Sequence, residues 1–175
     1  MAAPYDTLAY LLDRANVHDT VTRLTLDLDL GSREGLVNDV YAPQVVIDYT
    51  SMFGGKPIET TNEKWAADLD PMMSAFDGKQ HVSTGLLIEL SQPVKGVARP
   101  EKCRVIANVN GHLFRRAARG GPMMHNGGRY ILDLVRLPEL EQKGENPWRI
   151  AKHATVLSWE DGSSDVMTAV SSVGH

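Results

Sequence analysis

The histidine at position 81 has the side chain in this sequence best suited to moving a proton. It stands near the start of residues 80–90, where alternating residues predict a long β-strand with an apolar run behind the histidine. An imidazole titrates near neutral pH, so a histidine facing a dry cavity can act as a general acid or base. The alternative is a half-buried histidine with satisfied hydrogen bonds and no chemistry. The rest of the chain must decide between the two.

Metal chemistry has weak support. The six histidines do not show HxH or HExxH spacing, and a single cysteine, Cys103, leaves no internal disulfide and fits a reducing compartment. The Gly127-Gly128 pair is not followed by the lysine and serine of a phosphate loop. We therefore expect no metal site and no phosphate loop.

Size and composition predict one soluble domain over residues 1–175. A chain of 175 residues with 42% hydrophobic and 23% charged residues can bury one sizeable core. A net charge of -4 argues against nucleic acid as a partner. The sequence has no apolar run long enough for a membrane span and no basic-then-apolar start typical of a secretory signal. We expect a cytoplasmic protein.

The order of elements predicts an α+β fold. Three helical pieces come first, with apolar residues at helical spacing, the second of them ending near Gly31. A strand over 44–50 and a helix around Trp65 follow. Four long strands complete the core, over 80–91, 102–116, 128–137 and 148–159. Such runs favour a curved antiparallel sheet wrapped around helices, a cone whose open end is a natural pocket. Residues 160–175 are expected to be a flexible tail or a short lid helix.

Several scattered segments resemble SnoaL-like proteins of the nuclear-transport-factor-2-like superfamily. The resemblance covers about residues 8–159. It rests on Val17-His18-Asp19-Thr20-Val21-Thr22-Arg23, Ile47-Asp48-Tyr49, Gln80-His81-Val82, Gly128-Arg129-Tyr130 with Leu134-Val135-Arg136, and Trp148-Arg149-Ile150. The family fold is the cone described above, and its chemistry abstracts a proton next to a carbonyl group without a cofactor.

Within this family the pocket pattern is most similar to that of scytalone dehydratase. By that resemblance Asp29 is the catalytic aspartate that orients His81, with Asp27 or Leu30 as alternatives for its position, and Tyr49 is the donor to a substrate oxygen. The second histidine of that enzyme would fall near Leu113, so it is absent or displaced.

Other residues are expected to line the pocket. The resemblance places Arg129 and Ile131 at the serine and asparagine positions of scytalone dehydratase. Its apolar last-strand position holds a histidine here. The full set of expected lining residues is His153, Trp65, Arg129, Ile131, Asp133, Leu113 and Met72. Two alternatives stay open: Arg129 and Asp133 can form a cross-sheet ion pair, and Trp65 can belong wholly to the core.

The sequence therefore predicts a dehydratase, isomerase or cyclase acting on a carbonyl-bearing small molecule such as a polyketide or terpenoid. One alternative is an epoxide hydrolase, for which Asp29, Arg129 and Asp133 would have to converge on the cavity. Another is a non-catalytic binding or oligomerisation domain, like the small subunit of ring-hydroxylating dioxygenases. The resemblance also implies a homo-oligomer formed through the outer sheet face, a dimer before a trimer.

Overall fold

The computed structural model describes residues 5–171. Its helices and strands follow in chain order: α1 (Thr7–Leu30), α2 (Arg33–Gly35) continued by a π-helix (Leu36–Val40), β1 (Tyr41–Asp48), α3 (Thr50–Phe53), β2 (Ile58–Thr61), α4 (Asn62–Ser74), β3 (Gly78–Glu89), β4 (Lys102–Phe114), β5 (Met123–Arg136), α5 (Pro138–Glu141), β6 (Trp148–Gly162) and α6 (Asp165–Ser171). Within this part of the chain, no helix is long and apolar enough to cross a membrane.

Helix α1 is one continuous helix where the sequence predicts two pieces. The Asp6 carboxylate caps it by accepting a hydrogen bond from the backbone N–H of Ala9, and Gly31 ends it in the left-handed conformation at φ 66°. Twenty-four residues give a helix about 36 Å long. Its buried side carries Val17, Val21, Leu24 and Leu28, at the predicted spacing.

Six strands form one curved sheet that does not close, in the order β2-β1-β6-β5-β4-β3. Neighbouring strands pair antiparallel, except β1 and β6, which run parallel. This confirms the predicted α+β class with N-terminal helices. Two details differ from the prediction: β2 was not expected, and β5 begins at Met123 rather than Gly128.

The sheet buries its concave inner face against the helices. On β4 the inner residues are buried in strict alternation: Cys103, Val105, Ala107, Val109, Gly111 and Leu113. Strand β3 lies at one edge of the sheet, and α1 packs beside it. The free edge of β3 is therefore covered by the helix, and Asp29, in the last turn of α1, lies next to it.

A buried ion pair connects α1 to the rest of the fold. The Asp13 carboxylate is fully buried and accepts two hydrogen bonds from the Arg99 guanidinium, at 2.9 and 2.7 Å. The indole N–H of Trp148 donates a third, at 2.9 Å. Since each charge has a partner, Asp13 joins the helix to the β3–β4 loop and to the start of β6.

Candidate active site

A mostly apolar pocket opens on the concave face of the sheet. It holds about 690 Å³ of empty space, its mouth included. Most of its wall is apolar: Leu28, Met52, Phe53, Leu69, Met72, Met73, Phe76, Val109, Leu113, Val156, Leu157 and Met167. The polar side chains that reach it are Tyr49, His81, Asn126, Tyr130 and Thr155. Such a wall suits a compact apolar ligand oriented by a few hydrogen bonds.

Asp29 and His81 form a tightly coupled pair at this pocket. Oδ1 of Asp29 lies 2.7 Å from Nδ1 of His81, and Oδ2 accepts a hydrogen bond from the backbone N–H of His81 at 2.8 Å. The two side chains are only 18% and 15% exposed. The carboxylate therefore fixes both the position of the strand and the orientation of the ring. Because Nδ1 is directed at Asp29, Nε2 is the ring nitrogen left for a ligand.

The sheet edge explains why one carboxylate can make both contacts. An edge strand presents backbone N–H groups that have no partner strand, and β3 is such a strand. The last turn of α1 brings Asp29 to the unpaired N–H of His81. The neighbouring positions named as alternatives do not make this contact: Leu30 is exposed, and Asp27 lies over Gly35.

Tyr49 lies at the end of β1 and lines the same pocket. Its ring packs edge-on against Trp65, with centroids 5.5 Å apart. Burial raises the pKa of the Tyr49 phenol well above its ordinary value. The hydroxyl is thus kept protonated and available as a hydrogen-bond donor. The structure brings Asp29, His81 and Tyr49 to one pocket, while their catalytic roles stay predictions.

Of the remaining predicted lining residues, Met72 and Leu113 lie on the pocket wall, whereas His153 and Trp65 lie behind it. His153 is on the inner face as expected, but it is fully buried, with Tyr130 packed edge-on against it at 4.5 Å. Burial, followed by the nearby His81, lowers the pKa of the His153 ring to about 3. Expecting His153 in the pocket wall was wrong because tyrosines separate it from the cavity. Trp65 follows its alternative interpretation as a core residue, 5% exposed.

Arg129, Ile131 and Asp133 are on the opposite face of β5, and expecting them in the pocket was wrong. Because β5 pairs with β4 without a shift in register, Tyr130 faces inward and its odd-numbered neighbours face outward. The Asp133 carboxylate pairs with Arg104, at 2.7 Å, and not with Arg129. The aspartate and arginine set needed for an epoxide hydrolase therefore does not assemble at this pocket.

Three polar residues of the pocket were not among the predicted site residues: Asn126, Tyr130 and Thr155. Tyr130 was interpreted as packing, yet its ring is both part of the core and part of the pocket wall. Burial, then the charge of Asp29, raises the pKa of the Tyr130 phenol. Asn126 was missed because its strand was predicted to begin two residues later. The inward alternation from Met124 to Tyr130 is the signal that could have found it.

The C-terminal helix α6 packs at the pocket mouth. Val166 is fully buried against Phe76, Leu113 and Met124, and Met167 lines the pocket. The helix is anchored by Asp165, which accepts hydrogen bonds from Arg115 and from the backbone N–H of Arg119. Residues 160–175 were expected to be a flexible tail or a short lid helix, and the structure shows a short helix. Residues 172–175 lie outside the described range.

Potential metal ligands do not cluster in the described chain. Across residues 5–171, no three His, Cys, Asp or Glu side chains come close enough to hold one metal ion.

Comparisons with known proteins agree with this architecture. The model of the SnoaL-like domain matches residues 9–154. No functionally curated protein matches the sequence. Among solved structures, the Kfla4162 protein from Kribbella flavida superposes with a TM-score of 0.73 at 21% identity, over 88% of this chain and 96% of that one.

Two further solved structures carry functional names. A candidate scytalone dehydratase from Novosphingobium aromaticivorans has a TM-score of 0.68 at 14% identity, over 90% of this chain and 91% of its own. The hexachlorocyclohexane dehydrochlorinase LinA-type3 from Novosphingobium barchaimii has a TM-score of 0.69 at 13% identity, over 91% and 95%. At these identities the likeness establishes the fold.

Proposed function

This chain belongs to the SnoaL-like domain family, and on that premise we propose that it is a cofactor-independent acid–base enzyme, a lyase or isomerase acting on a carbonyl-bearing small molecule. The observation that carries the proposal is the Asp29–His81 pair, joined at 2.7 Å beside an apolar pocket. Neighbours of the same fold are named for eliminations, of water in one case and of hydrogen chloride in the other. The apolar wall favours a compact ring ketone of the polyketide or terpenoid kind.

The proposed reaction begins with proton abstraction. Nε2 of His81 takes a proton from the carbon next to the substrate carbonyl, and the electron pair of that C–H bond moves into the enolate. Nδ1–H donates to Asp29, whose carboxylate stabilises the imidazolium that forms. The Tyr49 hydroxyl donates to the carbonyl oxygen, where the negative charge develops. The high pKa of Tyr49 keeps the phenol protonated throughout.

The enolate then has two outcomes. With a hydroxyl group on the β-carbon, the C–O bond breaks, the electron pair of the enolate forms the new double bond, and the His81 proton leaves with the oxygen as water. Without a leaving group, the proton returns to the same carbon or to a conjugated one, which is exchange or isomerisation. Both outcomes regenerate neutral His81, so the cycle needs no further reactant.

The test that does not depend on the leaving group is hydrogen exchange at the α-carbon. Cyclic ketones in deuterated buffer are followed by NMR, and 3-hydroxycyclohexanone is followed by the ultraviolet absorbance of the enone that dehydration forms. His81→Gln is expected to lower exchange by a factor of about 10² to 10⁴. Asp29→Asn, which keeps an oxygen for the backbone N–H of His81, is expected to lower it as well.

Two results would refute the proposal, one of them the catalysis itself and the other the role of His81. The control variant His18→Gln removes an exposed histidine on α1, 58% exposed, and must leave exchange unchanged. If the wild type binds ketones but does not exchange their α-protons faster than buffer, the pocket serves a non-catalytic binding domain. If His81→Gln exchanges as fast as wild type, another base acts and the role of His81 is refuted.

We also propose a homo-oligomer formed through the outer sheet face. Its support is the exposed Trp159 indole, 49% exposed, which lies over Gly127 on that face. Light scattering during size-exclusion chromatography tests this, since Trp159→Lys should shift an oligomer towards the monomer. A wild type that elutes as a monomer at high concentration refutes it.

A further inference from the structure

Asn126 lies on the inner face of the sheet in the same row as His81. The register pairs His81 of β3 with Gly111 of β4, and Gly111 with Asn126 of β5. Two strand spacings separate His81 from Asn126, about 10 Å between Cα atoms. Because the residue between them is a glycine, the space over β4 at this level is left to the side chain of Asn126. At this level the pocket therefore has an imidazole on one side and an amide on the other, with only the backbone of Gly111 between them.

The side-chain amide of Asn126 lies over the backbone of Gly111. A β-carbon placed on Gly111 would lie 2.6 Å from Oδ1 of Asn126 and 3.4 to 3.5 Å from its Cγ and Nδ2. Gly111 is not among the glycines with positive φ, so its backbone conformation does not demand glycine. A side chain at position 111 would meet the Asn126 amide, which would have to move aside. The glycine therefore leaves room for the Asn126 amide to lie over β4, on the side of His81.

The amide is unsatisfied within the protein. Among residues 5–171, no group hydrogen-bonds the Asn126 side chain, although it can donate two hydrogens and accept at its oxygen. Most of the pocket wall is apolar. A polar group that no protein group hydrogen-bonds, in a mostly apolar cavity, is available to a ligand.

We propose that Asn126 binds a second oxygen of the substrate, opposite the carbonyl group. The proposal rests on the proposed function and deepens it. Along β5, Asn126 and Tyr130 are four residues apart on one face, about 13 Å of strand, so Asn126 lies towards the mouth and the tyrosines lie deep. The carbonyl oxygen sits at Tyr49, the acidic carbon faces His81, and a hydroxyl or second carbonyl at the far side of the ring meets Asn126. The substrate class is a compact cyclic ketone oxygenated at both ends.

The experiment compares two ligands of nearly equal size, 4-hydroxycyclohexanone and 4-methylcyclohexanone, by NMR-monitored binding. Asn126→Leu keeps the volume and removes the hydrogen bonds. It is expected to weaken binding of the hydroxy-ketone three- to tenfold, the usual range for one neutral hydrogen bond, and to leave the methyl-ketone unchanged or tighter. Gly111→Ala is expected to act in the same direction, because it displaces the amide without removing it. Asn110→Leu, the adjacent asparagine on the outer face, should change neither ligand.

The outcomes separate this proposal from the proposed function. An Asn126→Leu variant that weakens both ligands equally, or neither, overturns the assignment, since the residue is then only part of the wall. If Gly111→Ala fails to fold, Asn126→Leu alone decides. Binding is measured without catalysis: a hydroxyl preference that depends on Asn126, in a wild type that exchanges no α-proton, supports the subsite while the enzyme proposal fails. If α-proton exchange depends on His81 but Asn126 gives no preference for the hydroxy-ketone, the enzyme proposal stands and the Asn126 subsite is refuted.

Discussion

Protonation of the buried His153 ring should destabilise this protein in acid, and the effect can be assigned to one residue. The ring is fully buried, with the Tyr41 hydroxyl 2.9 Å from Nδ1. Nε2 is buried and meets no hydrogen-bonding group among residues 5–171, since the tyrosine rings surround it. A doubly protonated ring would bury a charge without a counter-charge. For this reason burial lowers the pKa of His153 to about 3.

The direction and size of the effect follow from linkage. The folded pKa is depressed, so below the unfolded pKa, about 6.5 for histidine, the unfolded chain binds a proton that the folded chain does not. The stability contributed by neutral His153 is complete above that pH and is lost as the pH falls towards 3. With these two pKa values, His153 alone lowers the free energy of unfolding by about 2 to 3 kcal/mol between pH 6 and pH 4.

The assay is urea unfolding followed by tryptophan fluorescence at several pH values. Carboxylates also titrate in this range, so the slope of stability against pH is compared between wild type and His153→Gln. Between pH 6 and pH 4, the free energy of unfolding should fall less in the variant than in wild type, by the contribution of His153 given above. This holds whatever the stability of the variant at neutral pH. Equal slopes in wild type and His153→Gln, or an NMR titration of the His153 ring near pH 6.5, would refute the reasoning.

Three further predictions concern stability, each measured as the free energy of unfolding in urea. Asp13→Asn removes one partner of a buried ion pair and should cost about 3 kcal/mol or more. Gly128→Ala places a β-carbon against the carbonyl oxygen of Val156, a backbone atom that cannot rotate away, and should cost about 2 kcal/mol or more. Arg104→Gln breaks an exposed pair with Asp133, which solvent screens, and should change the free energy of unfolding little. A cost for Arg104→Gln as large as that for Asp13→Asn would contradict the burial argument.

The fold could be predicted from the sequence because the spacing of apolar residues is most regular in the elements that form most of the core. The spacing of Val17, Val21, Leu24 and Leu28 predicts the buried side of α1, and the structure buries all four. The alternation of β4 predicts which face is apolar, and Val105, Ala107 and Val109 are buried as a result. Periodicity did not reveal that the first two helices are one, because a pattern of apolar positions marks a face and not a boundary.

The faces of β5 were harder to predict, for a physical reason. Gly127 and Gly128 have low strand propensity, so the strand was started only at Gly128, yet β4 on one side and β6 on the other hold this segment extended. In a strand, a displacement of one residue exchanges the two faces. Placing Arg129 and Ile131 inward therefore also hid Asn126 and Tyr130. The register that corrects this comes from pairing with β4, which the sequence of β5 alone does not contain.

The sequence could not predict how deep each inward-facing residue lies along the sheet, and this depth distinguishes His81 from His153. Both histidines are on the inner face, but the sheet is curved, and a residue's level along the strand decides whether it meets the cavity or the core. His81 is near the start of an edge strand, where the last turn of α1 ends beside it and leaves one side of the ring open. His153 is in a strand with neighbours on both sides, behind Tyr49 and Tyr130. His81 therefore has the environment of an acid–base residue, whereas His153 has that of a structural residue. The difference arises because only the strand of His81 is at an edge, with a free N–H for Asp29 to bind and open space for a ligand beyond the ring.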